Sequence, residues 1–152
     1  MAVYHPGLEF LNMEKLKKAY YLLFYKLYRA FISLSEDSWA DWKAGLVIQT
    51  LQYFILFVIA LQIEIISKDN IIPDFDPKIW EIPLAIVLAV FNYYVFLHKK
   101  RWKKYSTEFS LYSKKKNKII NTIVFFIVFG IVALLIFTFY QYSQIDWIKK
   151  KI

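Results

Sequence analysis

The 152-residue chain is 59% hydrophobic and 20% aromatic, with three glycines, four prolines and no cysteine. That composition excludes a disordered or low-complexity chain and is too apolar for an ordinary soluble domain, so a membrane protein is the leading class. The lack of cysteine excludes disulfides, thiolate nucleophiles and thiolate metal sites, and the formal charge of +8 matters chiefly through its distribution along the chain.

In chain order, the opening MAVYHPGLEF lacks the basic segment and apolar core of a cleavable signal, so the first span is expected to stay in the mature chain. Residues 13–34, MEKLKKAYYLLFYKLYRAFISL, are too charged to cross a bilayer and too apolar to lie free in water. At ~100° per residue, Lys15, Lys18, Lys26, Arg29 and Ser33 fall within about 80° of one another, and most other positions are aromatic or aliphatic. Two readings follow: an amphipathic helix in the cytoplasmic interface, or a wide apolar face packed against neighbouring helices of an oligomer. Lys17 breaks the pattern and is expected to snorkel. Within SEDSWADWK, residues 35–43, Ser38 and Asp41 resemble a capping box, with Glu36 and Asp37 beside it, so a new helix is predicted near Trp39.

Three apolar runs follow, at 44–66, 79–97 and 119–140. At ~1.5 Å per residue the first and third each cover more than the ~30 Å of a hydrocarbon core. The middle run carries Glu81 and Pro83 near its start, where a proline in a first helical turn removes no intrahelical bond. The expected fold is an all-α membrane protein with an amphipathic N-terminal interfacial helix followed by three transmembrane helices. Its parts are an interfacial region at 1–38, a transmembrane domain at 39–140 with a basic cytoplasmic loop at 98–118, and a short basic tail at 141–152.

Six Lys and Arg precede the first span, two lie in 67–78, nine in 98–118 and three after residue 140. The positive-inside rule then places the N-terminus and the basic loop in the cytoplasm, and the chain in a bacterial inner membrane as a multi-pass protein. The tail fits poorly, since Lys149, Lys150 and Lys151 would stand outside. Trp39, Trp42, Trp80, Trp102 and Trp147 all fall near span ends, the headgroup level that indole favours.

Polar residues inside a span usually face protein or water. Gly45, Gln49 and Gln52 recur at four and three residues, the face continues through Leu56, Ala60 and Ile63, and Glu64 lies about 60° round from Gln49. The second span offers Glu81, Ala85, Ala89 and Asn92, and the third Asn117 with Asn121 and Gly130 with Ala133. Amides bonded across a helix bundle account for these positions. The sharper reading is a water-lined pathway, with Gln49, Gln52 and Glu64 as lining residues and Leu56 as an apolar gate. Three spans cannot enclose a useful pore, so that reading requires a homo-oligomer.

Chemistry for catalysis is not visible. His5 and His98 are far apart without acidic neighbours at ligand spacing, and no phosphate loop, nucleophile motif or paired carboxylates stand out. No metal, cofactor or enzymatic activity is expected, and no internal repeat suggests a transporter.

The segment 98–118 holds the basic clusters Lys99, Lys100, Arg101, Lys103 and Lys104, then Lys114, Lys115, Lys116 and Lys118. Membrane topology and anionic lipid, at about 1 kcal/mol per basic residue near the surface, account for such clusters next to a span. Their interleaving with Trp102, Tyr105, Phe109 and Tyr112 also matches what a nucleotide or single-stranded nucleic acid needs, namely charge neutralisation and rings for stacking.

This size and layout resemble the small few-helix membrane effectors of bacterial anti-phage defence, including the channel-forming partner of a nucleotidyltransferase in the Hailong type. The resemblance lies in architecture, with no motif to carry residues across. It implies an oligomeric channel controlled by a nucleotide-derived ligand. The function expected is therefore a small homo-oligomeric membrane channel serving as a defence effector gated from the cytoplasm; the alternative is a non-catalytic anchor or assembly subunit of a larger membrane complex.

Overall fold

The computed structural model describes residues 6–35, 38–67 and 77–145, and every regular element among them is helical. Helix α1 is Pro6–Ser35, α2 is Ala40–Ser67 and α3 is Pro77–Asn92. A π-helical turn, Tyr93–Leu97, continues α3 into a 3₁₀ segment, His98–Tyr105, which leads to α4, Ser106–Ser110, and α5, Lys114–Ser143. Three stretches are long and apolar enough to cross a membrane, namely α2, the continuous run Ile79–Ser110 and α5, which fits a membrane protein. Residues 68–76, Glu36 and Asp37, His5 and the tail from 146 with Trp147 lie outside the described residues.

Several boundaries differ from those read in the sequence. Helix α3 opens at Pro77, two residues before the apolar run, so Pro83 lies inside the helix and not in its first turn, and withholds the amide that would bond the Ile79 carbonyl. Helix α5 starts at Lys114, five residues before the apolar run, because the Ser113 side chain caps it by accepting from the Lys116 amide at 3.2 Å. Three lysines in a first turn oppose the helix dipole, so the KKK run is not there to stabilise α5. At the start of α2 the Asp41 carboxylate takes the neighbouring Trp42 amide at 2.9 Å instead of closing a capping box, and the Lys43 amide bonds the Trp39 carbonyl. The segment 98–118, expected as a loop, is mostly helical.

Helix α2 is central, packing against α1, α3 and α5. Its buried side includes Ala44, Ile48, Leu51, Val58 and Leu61, whereas α5 buries only Thr138 among its described side chains and turns Phe125, Phe126, Phe129 and Phe137 outward. The main core lies where α1 crosses the ends of α2 and α3 and the 3₁₀ segment. Phe24 and Phe96 are fully buried and stacked at 4.4 Å, Tyr21 meets Phe96 edge-on at 5.5 Å, and Tyr28 lies 4.4 Å from Trp102. Each such pair contributes about 0.5–1.5 kcal/mol beyond its buried area. The aromatic face of α1, expected on a membrane surface or against other copies, is thus taken up within this chain. Trp102, expected at the headgroup level, is 4% exposed because Phe24 and Tyr28 cover it.

Candidate functional site

Tyr20 of α1, Gln52 of α2 and Asn92 of α3 close a ring of hydrogen bonds. The Tyr20 hydroxyl donates to Asn92 Oδ1 at 3.0 Å, Asn92 Nδ2 donates to Gln52 Oε1 at 2.6 Å, and Gln52 Nε2 donates back to Tyr20 Oη at 2.6 Å. Asn92 is buried at the point where α3 passes into its π turn, and it also donates to the Leu88 carbonyl at 2.8 Å. Burial pushes the Tyr20 phenol up to about 12, and the Gln52 hydrogen bond offsets only part of that.

The other polar residues of α2 also bond within the chain. Gln49 Nε2 reaches the Ala85 carbonyl of α3 at 3.1 Å, where the small alanine lets the helices approach. Gln62 donates to Thr138 Oγ1 at 3.2 Å and to Gln141 Oε1 at 2.9 Å, tying α2 to α5. Glu64 is 1% exposed near the C-terminal end of α2, whereas Leu56 is 41% exposed. The four pore-lining candidates therefore do not share one surface. Gln49 and Gln52 turn inward to α3 and α1, Glu64 is enclosed, and Leu56 faces outward.

All nine basic candidates, Lys99, Lys100, Arg101, Lys103, Lys104, Lys114, Lys115, Lys116 and Lys118, are exposed, and none pairs with a carboxylate among the described residues. Lys99 and Lys100 hold left-handed backbone at φ 51° and 49°, turning the chain so that Trp102 enters the core. Several cations lie over rings: Arg101 over Tyr94 at 5.4 Å, Lys104 over Tyr105 at 5.3 Å and Lys116 over Tyr112 at 3.6 Å. Of the four rings proposed for base stacking, Trp102 and Phe109 are buried and only Tyr105 and Tyr112 are partly open.

The polar face of α1 meets this basic region. Lys18 pairs with Glu108 of α4, and that carboxylate's hydrogen bond raises the lysine's affinity for its proton. Lys26 donates to Asn117 Oδ1, and Asn117 in turn donates to the Tyr112 carbonyl at 2.9 Å. No group of three His, Cys, Asp or Glu positioned to hold a metal occurs among the described residues. The partners Tyr20 and Asn92 escaped the sequence reading of Gln52: Asn92 lay on a helical stripe, but Tyr20 sits in an aromatic run whose pattern marks no polar role.

Compared with known protein families, curated proteins and solved structures, the chain matches none.

Proposed function

We propose that this protein is a non-catalytic membrane subunit that works by assembling with other membrane chains and presents a basic platform to an anionic partner in the cytoplasm. One observation carries the reading: the hydrogen bonds of Gln49, Gln52 and Gln62 all close within the chain, so they act as glue between its own helices. The outward faces of α3 and α5 are apolar, suited to lipid or to neighbouring helices, and the nine cations, with no carboxylate partner among the described residues, gather on the side that the positive-inside rule assigns to the cytoplasm. The same charge pattern supports an inner-membrane location with the N-terminus inside.

The second reading is a homo-oligomeric channel, in line with the resemblance to Hailong-type effectors, and a specific residue favours it. Glu64 is an ionisable group enclosed in a span, a costly placement that function commonly explains. Ion flux through vesicles holding the purified chain, with and without short oligonucleotides, separates the two. Absence of flux in every condition, with oligomers or foreign chains recovered by cross-linking, supports the subunit. Flux that Glu64→Gln abolishes, or that an oligonucleotide switches, overturns it in favour of the channel.

A further inference from the structure

A cleft of about 720 Å³ runs between α1 and α5 and is closed at one end by α4. Its α5 wall is formed by Asn117, Asn121, Val124, Phe125 and Val128, one helical face that passes from polar to apolar over roughly 16 Å along the axis. Opposite the polar end stand Lys26 and Arg29, neighbours three residues apart on α1. Arg29 has no carboxylate partner among the described residues, and Glu108, the acid of the adjoining helix, is engaged by Lys18. Lys26 is half-buried against Asn117 and holds its proton less firmly than an ordinary lysine, first because of burial and then because of the Arg29 charge. Lys26, half-buried beside the exposed Arg29 charge and with no carboxylate partner among the described residues, is in a setting that an external anion would relieve.

We infer that this cleft is a binding site for an anionic phospholipid, its phosphate held by Lys26 and Arg29 with the Asn117 and Asn121 amides beside it and its acyl chain lying along Val124, Phe125 and Val128. The phosphate chemistry follows from the guanidinium fork and the adjacent ammonium. The acyl chain follows from the wall: a soluble phosphate would leave the apolar half of the cleft unfilled, and α5 is a helix apolar enough to cross the bilayer that supplies such chains. Its two cations belong to α1 and are not among the nine of the platform, although Lys114 and Lys118 line an adjoining pocket that shares Asn117, Asn121 and Phe125; the assignment does not rest on the subunit reading.

The test is native mass spectrometry of the full chain in detergent, titrated with phosphatidylglycerol, with phosphatidylcholine, and with inorganic phosphate or a mononucleotide as competitor. Wild type is expected to retain phosphatidylglycerol in preference to phosphatidylcholine, with affinity reduced roughly tenfold or more in Lys26→Gln/Arg29→Gln. The charge-matched control Lys15→Gln/Lys17→Gln, two exposed lysines of α1 outside the cleft and outside the basic platform, should retain it normally. Lys26→Arg should restore retention, and Val128→Trp, which fills the apolar end, should weaken it while the helical circular dichroism stays that of wild type. Equal retention in the double Gln variant, or equal retention of phosphatidylcholine, would overturn the assignment. Displacement of lipid by inorganic phosphate or a mononucleotide would also overturn it, and would make the site one for a soluble phosphate.

Discussion

A hydroxyl and two amides on three different helices close a ring only if each donates and accepts at once, and Tyr20, Gln52 and Asn92 do so. Removing one member leaves two groups, at least one of them only partly buried, short of a partner, a penalty of at most about 1–3 kcal/mol that falls below 1 where a membrane reference state offers other partners. Gln52→Leu and Tyr20→Phe are each expected to lower the melting temperature in micelles. Together they should cost less than the sum of the two, because the second removes a bond the first has already broken. The same tyrosine makes an alkaline prediction. Its folded value of about 12 exceeds the unfolded 10.0, so above pH 10 the unfolded chain has lost a proton that the folded chain keeps. The stability contribution is complete below pH 10 and is lost as pH rises toward 12. Thermal unfolding across that window should show a fall that Tyr20→Phe removes, while a profile unchanged by the variant would place the loss elsewhere.

At the scale of elements, the turn after α3 does the most to shape the protein. A π turn and two lysines in left-handed backbone, neither of them glycine, redirect the chain so that Trp102 reaches Phe24 and Tyr28. That conformation costs an L-residue about 1–2 kcal/mol. Lys100→Gly is therefore expected to be neutral or up to ~1 kcal/mol stabilising, and Lys100→Val destabilising by ~1–2 kcal/mol, in paired denaturation curves. The core this turn completes is tested by Phe96→Ala, which should cost about 3 kcal/mol and expose α1 to protease well before α2 or α5 is cut. The three helices long and apolar enough to cross a membrane were legible in the sequence because hydrocarbon demands long apolar runs whatever their neighbours. The destination of the α1 aromatic face was not, since a helical period tells which residues share a face but not what covers it. Trp102 was hidden for a related reason: in HKKRWKKY the surrounding charge argues for exposure, and only the left-handed turn, which no glycine announces, carries the ring inward. Gln52 was legible as a polar residue needing a partner, while the partner's identity depended on how α1 crosses the bundle.

Across the whole molecule, α1, α4 and the start of α5 are joined by Lys18 to Glu108 and Lys26 to Asn117, so the N-terminal helix and the basic segment are held together. Three crossings, which the length and apolarity of α2, Ile79–Ser110 and α5 allow, would put the far end of α5 on the side opposite its start, and there the charge pattern would conflict with itself, since Lys149, Lys150 and Lys151 follow. At ~1.5 Å per residue the 30 residues of α5 reach about 45 Å, well beyond the ~30 Å hydrocarbon core, so both its ends emerge into water or headgroups. Because the chain has no cysteine, single introduced thiols report their side cleanly. Ser113→Cys and Leu34→Cys should react with an impermeant maleimide only after the vesicle is opened to the cytoplasmic face, and Ser143→Cys from the opposite face. If Ser143→Cys instead reacts on the same side as Ser113→Cys, α5 does not cross, and the three terminal lysines regain the cytoplasmic position their charge favours. The membrane domain would then be the pair formed by α2 and α3, with α5 an apolar helix that must be covered by another chain.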